Sequence, residues 1–147
     1  MIRINRTTEY GLIALQHMSR KPLNGITSAR EIADCYGLPF EITAKTLQRL
    51  KDTDLIESAQ GAKGGYILKR PLLDITLAKF LELMEGKQSL VACCDRPMES
   101  EMHRHGSCGY RTKCEISIGM KSLNAKVLNL LNGICLAELS GISGGKT

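Results

Sequence analysis

Between two stretches of helical periodicity the chain reads Gly37-Leu38-Pro39, and these residues leave few options for the fold. Gly37 is a left-handed stop for a helix that ends near Tyr36. Pro39 suits the first turn of the next helix, where its missing N–H costs nothing. The earlier helix opens at Ser28-Ala29-Arg30-Glu31, the form of a capping box, in which Ser28 caps backbone donors and Glu31 reaches back. It continues through Ile32 and Ala33. The later helix is predicted over residues 39–51, with Ile42, Leu47 and Leu50 on its inner side. Two helices joined by a tight glycine turn make a helix-turn-helix.

Directly behind it, Leu55-Ile56-Glu57-Ser58 and Tyr66-Ile67-Leu68 flank a Gly-rich centre at residues 59–65. Two short β-prone runs around such a centre read as a hairpin, and a hairpin in this place is a wing. The centre lacks the GK[ST] ending and the following helix of a nucleotide-binding loop. A first amphipathic helix is predicted from about Asn5 to Ser19, with Tyr10, Ala14 and Met18 at helical spacing beside Leu15 and with Asn5 or Thr7 as cap. Residues 21–27, with Pro22 and Gly25, form a loop. Thr76 opens a fourth helix whose Leu77, Phe80, Leu81 and Met84 face inward, and Gly86 ends it.

Near the C-terminus, Ile116, Met120, Leu123, Val127, Leu130, Ile134 and Ala137 advance alternately by four and three. That is a coiled-coil seam of about three heptads. Lys121, Asn124 and Lys126 lie off it. A small N-terminal core leaves little surface to receive such a seam, so Ile116, Met120, Leu123, Val127, Leu130 and Ile134 are expected at a homodimer interface. The expected fold class is mostly α with a small β-hairpin wing. It comprises a winged helix-turn-helix over residues 1–86, a cysteine-containing sensor loop over 87–114, a dimerisation helix over 115–140 and a flexible tail over 141–147.

Composition fits this outline. With two Phe, four Tyr and no Trp, the core must be built from Leu, Ile, Met and Ala, which favours helices. No apolar run approaches the roughly 18 residues of a membrane span, and the opening residues are too polar for a signal peptide. A cytoplasmic protein with no membrane partner is therefore expected. The formal net charge is +5, and residues 1–70 hold eleven Lys and Arg against seven Asp and Glu. A basic half of this kind is the footprint of a phosphate-binding surface, although a solvated basic face carries the same signal.

Six cysteines in a reducing compartment point to metal or redox chemistry rather than structural disulfides. Cys35 and Cys135 fall inside helical patterns and read as small buried side chains. The loop holds Cys93, Cys94, Cys108 and Cys114, with His103 and His105 between them. A Cys–His pair can act as a nucleophile, but nothing supplies an orienting third residue or a substrate pocket, so the chain is not expected to be an enzyme.

The run from Leu38-Pro39-Phe40 through Thr46-Leu47-Gln48-Arg49-Leu50-Lys51 and Asp54-Leu55-Ile56 carries a more specific signal. It continues through Gly61-Ala62-Lys63-Gly64-Gly65-Tyr66-Ile67-Leu68 and Ile75-Thr76-Leu77 to Met84-Glu85-Gly86. In this order the motifs resemble the IscR/NsrR/CymR/RirA superfamily of bacterial winged-helix transcription regulators, over nearly the whole chain. Asp54 stands where relatives usually place Gly before the wing. Asp tolerates left-handed backbone better than most residues, so the turn should survive.

The resemblance implies a homodimer on double-stranded DNA with a pseudo-palindromic operator. A recognition helix offers its N-terminal residues to base edges, here Glu41, Thr43, Ala44, Lys45 and Gln48. Gln60, where relatives often carry Arg, and Lys63 lie at the wing tip. Arg3, Arg6, Ser28, Arg49 and Lys69 are phosphate-contact candidates. The resemblance also implies an iron–sulfur cluster, [2Fe-2S] or [4Fe-4S] and one per protomer, held by Cys94, Cys108 and Cys114 with Cys93 in reserve. Cys108 and Cys114 keep the family's Cys-x5-Cys spacing, whereas Cys94 lies farther upstream than usual. Glu9 is the candidate fourth ligand, reaching across from the partner protomer, and His103 or His105 are the reserve. The signal would be redox state, nitric oxide or iron status. A regulator without a cluster is the alternative, switched by thiol oxidation, a Cys/His zinc site or a protein partner. RNA polymerase or a protein co-regulator is a further possible contact.

Overall fold

Asn5 starts the first helix, α1 (Arg6–Ser19), in a computed structural model that describes residues 3–90 and 113–140. Its Oδ1 accepts a hydrogen bond from Thr8 N at 2.9 Å, so Asn5 rather than Thr7 is the cap. Its own N–H donates to Glu85 Oε1 at 2.9 Å, which ties the start of α1 to the end of a later helix. Thr8, Gly11, Ala14, Leu15 and Met18 form the buried stripe, and Tyr10 is half-buried at its margin.

The next two helices are α2 (Ala29–Tyr36) and α3 (Phe40–Asp52), and Gly37 between them has φ +64°, the left-handed stop expected. Ser28 Oγ accepts from Glu31 N at 3.1 Å. The second half of the expected capping box is absent, because the Glu31 carboxylate turns to Lys21 and His17 instead of reaching back.

On α3 the buried positions are Thr43, Thr46, Leu47 and Leu50. Ile42, expected inside, is 42% exposed. The reason lies in the two threonines. Thr43 Oγ1 donates to Pro39 O at 2.9 Å and Thr46 Oγ1 to Ile42 O at 2.8 Å. With each hydroxyl satisfied one turn back, both side chains pack as apolar groups, and the inner face is rotated away from Ile42.

The wing pairs β1 (Ile56–Ala59) antiparallel with β2 (Gly65–Leu68), Ile56 opposite Leu68 and Ala59 opposite Gly65. Its second strand is stitched, at Tyr66 near the turn, to the segment preceding α2. Thr27 N donates to Tyr66 O at 2.9 Å, and Tyr66 N to Thr27 O at 2.8 Å. A Cβ on Gly65 would lie 2.6 Å from Ile26 Cγ2 and 2.8 Å from Thr27 O, so close approach of two backbones requires glycine there. Asp54, which precedes the wing, has φ +64° and supports the left-handed turn expected there.

A short 3-10 turn, Leu72–Asp74, leads into α4 (Leu77–Glu85), capped by Thr76, whose Oγ1 accepts from Lys79 N. Leu77, Phe80, Leu81 and Met84 are buried, as their spacing predicts. They join Leu15, Ile32, Leu47, Leu50 and Ile56 in one core.

The C-terminal seam differs from expectation. The helix α5 runs only over Ser117–Asn132, and none of its residues is buried. Ile116, Leu123 and Leu130 are 67%, 45% and 65% exposed, with Met120 and Val127 half-buried between them. Beyond Gly133 the chain returns to the head: Leu77 N donates to Ile134 O at 2.8 Å and Leu136 N to Ile75 O at 2.9 Å. Leu136 enters the core, with Ile134 and Ala137 packed beside it. Ile134 therefore leaves the predicted seam: the helix ends at Gly133, and the chain pairs with the segment around Thr76 instead of continuing its own i to i−4 ladder. Among the described residues no helix is long and apolar enough to cross a membrane.

Candidate functional site

A helix turns about 100° per residue, so Glu41, Lys45 and Gln48 share the face of α3 opposite its buried stripe. All three are exposed, and Ala44 is half-buried on the flank. Thr43, expected among them, is 1% exposed and points into the core, where its hydroxyl is already bonded. It cannot reach a ligand. Gln60 and Lys63 lie exposed at the tip of the wing, behind the same helix in the chain.

The cations around this face differ in what they hold. Arg49 Nη2 donates to the Met84 carbonyl in the last turn of α4, one of the oxygens a helix end leaves without a partner. Lys69 Nζ donates to Asp54 Oδ1, and Arg70 Nη2 lies 3.7 Å from Asp54 Oδ2. The Lys69 hydrogen bond holds the Asp54 carboxyl below its ordinary range. Arg6 pairs with Glu9 at 3.7 Å, and Arg3 is exposed. Ser28 uses its hydroxyl oxygen as the cap of α2. Two residues were not singled out in the sequence. The Arg30 guanidinium lies 4.4 Å above the centre of the Phe40 ring. The available signal was Phe40, a large apolar residue at the open start of a helix.

Beneath α2 a polar cluster joins it to α1. His17 Nε2 lies 2.8 Å from Glu31 Oε1, His17 Nδ1 lies 3.1 Å from the Tyr36 hydroxyl, and Lys21 Nζ donates to Glu31 Oε2 at 2.8 Å. Burial would raise the Glu31 carboxyl, but the hydrogen bonds from Lys21 and His17 outweigh it and hold the group below its usual value.

Of the candidate metal ligands, Glu9 is exposed on the first turn of α1, and Cys114 is a half-buried free thiol just ahead of α5. Cys93, Cys94, His103, His105 and Cys108 lie outside the described residues, as does the expected tail over 141–147. Among the described residues no group of three or more His, Cys, Asp or Glu is gathered in one place. Cys35, expected to be buried, is exposed because it falls on the outer side of α2. Cys135 is half-buried, and its thiol donates to Glu138 Oε1 at 3.2 Å.

This architecture has known counterparts. The Rrf2 family model, described as an iron-dependent transcriptional regulator, matches residues 4–141. The HTH-type transcriptional regulator NsrR of Shouchella clausii is 25% identical over 95 residues, which cover 65% of this chain and 64% of that protein. The match thus spans less than two thirds of that relative's length. Among solved structures, CymR (YrzC), the global cysteine regulator of B. subtilis, superimposes with a TM-score of 0.67 at 21% identity, covering 97% of this chain and 99% of that one. IscR of T. potens gives 0.62 at 21% identity, covering 98% and 94%. Both share the fold. With a family model spanning nearly every residue, and a helix with an exposed face followed by a hairpin wing, the chain belongs to the Rrf2 family, whose description is that of an iron-dependent transcriptional regulator.

Proposed function

We propose that this regulator binds a pseudo-palindromic operator as a homodimer, and that a cysteine-ligated iron–sulfur cluster sets its grip on DNA. The observation that carries the DNA part is the uncovered face of α3, with Glu41, Lys45 and Gln48 exposed beside a wing bearing Gln60 and Lys63. Lys45 suits guanine, Glu41 a cytosine amino group, and Gln48 adenine or phosphate. Arg3 supplies a phosphate contact, whereas Arg6, Arg49 and Lys69 must first share or release their protein acceptors. The apolar stripe of Ile116, Leu123 and Leu130, exposed, with Met120 and Val127 half-buried between them, supports pairing of two chains through α5.

The donor set for the cluster is Cys94, Cys108 and Cys114 with Glu9 from the partner protomer. Three thiols and a carboxylate are chemically suited to iron–sulfur ligation. When bound, the group supplies a redox- and nitric-oxide-sensitive centre. Its formation or loss would alter the placement of the recognition helices, and a coupling of about 1–3 kcal/mol changes affinity roughly 5–150-fold. Repression is the expected outcome of operator binding.

Anaerobic isolation of the chain, with iron, sulfide and zinc quantified together and DNA binding measured before and after oxidation, tests this reading. Iron and sulfide in similar amounts, lost in a Cys94/Cys108/Cys114→Ala variant, are expected. A competing reading keeps the regulator without a cluster and makes thiol oxidation the switch, which the exposed Cys35 and free Cys114 favour. Iron-free protein whose DNA binding still responds to oxidant selects that reading.

A further inference from the structure

Arg30 is the second residue of α2, and Phe40 is the first of α3. Their cation–π contact, 4.4 Å from guanidinium carbon to ring centre, bridges the two helices at their N-terminal ends. The ring takes no conventional hydrogen bond, so the guanidinium's five N–H donors are left without a protein acceptor among the described residues. In this Arg30 differs from its neighbours. Arg49 donates to Met84, Lys69 and Arg70 are drawn to Asp54, and Arg6 pairs with Glu9. Among the described residues, Arg30 has a partner only in the ring, and it is exposed.

We propose that Arg30 is a phosphate-contacting residue of the DNA interface, held in position by Phe40; this rests on the reading that the winged helix binds duplex DNA. In a helix-turn-helix the first helix crosses the DNA backbone while the N-terminal residues of the second enter the groove. Arg30 and Phe40 stand at those two ends. A guanidinium fork matches phosphate oxygens in a bidentate way that an ammonium does not. Because the ring already restricts its rotamers, less side-chain freedom is lost on contact than for a free surface arginine.

The test measures affinity of the full chain for two short duplexes across a range of salt. One duplex has random sequence, and the other is enriched by selection with the unmodified protein. Arg30→Gln should weaken both by a similar factor and make the dependence of log K on log salt shallower by about 0.9 per chain. Arg30→Lys should keep most of the salt slope yet bind more weakly than the parent. Phe40→Leu should lower affinity, and the double variant Arg30→Gln/Phe40→Leu should be no weaker than Arg30→Gln alone. Both residues are exposed, so thermal midpoints should stay near that of the parent chain; a purely structural role would move the midpoint and leave the slope. An unchanged slope in Arg30→Gln overturns the phosphate contact, and unchanged affinity in Phe40→Leu overturns the positioning. If the unmodified chain binds neither duplex, the regulator reading falls and takes this inference with it.

Discussion

Asp54 holds Lys69 across the base of the wing: its carboxylate accepts from the lysine ammonium while its own backbone sits at φ +64°. This one residue thus both makes the left-handed turn and occupies a cation otherwise available to DNA. Asp54→Gly should keep the turn and free Lys69, giving tighter, more salt-dependent DNA binding with a slope steeper by up to about 0.9 per chain. Asp54→Ala removes the ion pair without easing the left-handed backbone, so it should lower the thermal midpoint below that of Asp54→Gly. Equal midpoints for the two variants would contradict this account.

Thr43 and Gln48 lie on opposite sides of α3 and should separate stability from recognition. Thr43→Val removes the hydrogen bond to Pro39 O and should cost about 1 kcal/mol in urea unfolding, with DNA affinity of the folded fraction unchanged. Gln48→Ala should leave stability within about 0.5 kcal/mol. It should reduce discrimination between selected and random duplexes by about 1–3 kcal/mol if it reads a base.

Gly65→Ala places a methyl group against Ile26 and the Thr27 carbonyl. The backbones must separate, and a loss of about 1–3 kcal/mol is expected, comparable to overpacking a core. Hydrogen exchange at Thr27 and Tyr66 should accelerate more than exchange within α4. Uniform acceleration would show that the bridge has no local role.

Leu130 belongs to the predicted C-terminal seam and Leu136 does not, and the two lie in different environments. Leu136 is 2% exposed in the core, and Leu136→Ala should cost about 2–5 kcal/mol. Leu130→Glu adds charge to an exposed position, so the head should stay folded while sedimentation reports loss of the dimer. A dimer that survives Leu130→Glu together with Leu123→Glu would place the interface elsewhere.

Glu31 provides a pH dependence of definite sign. Its folded carboxyl is held below the ordinary value of about 4.5, so the ionised form stabilises the native state at neutral pH. That stabilisation is complete above the unfolded value and is lost as pH falls through the lowered folded value. Relative to Glu31→Gln, the parent chain should therefore be more stable at neutral pH, with the gap closing in acid. A gap that widens below pH 4.5 would reverse the assignment.

Helix starts and stops were legible because local chemistry decides them. Asn5, Ser28 and Thr76 each cap with their own oxygen, and Gly37 stops α2 without help from distant residues. The wing was legible for the same reason, and the family motif carried its place after α3. The inner face of α3 was not, since Thr43 and Thr46 read as polar while their hydroxyls are bonded within the helix. The heptad pattern ran past Gly133, but Ile75 and Leu77, nearly sixty residues earlier, supply the backbone partners that draw the last residues back. Arg49 and Met84 show the same limit: a donor visible in the sequence had an acceptor that was not.

Thr27 is bonded both ways to Tyr66 and immediately precedes the residue that caps α2. Hairpin and the start of α2 are thereby braced as one block, and tilting one against the other would break the shared ladder. A signal is better transmitted by shifting such blocks whole, so that the separation between two of them, matched or mismatched to a turn of the double helix, becomes the variable under control.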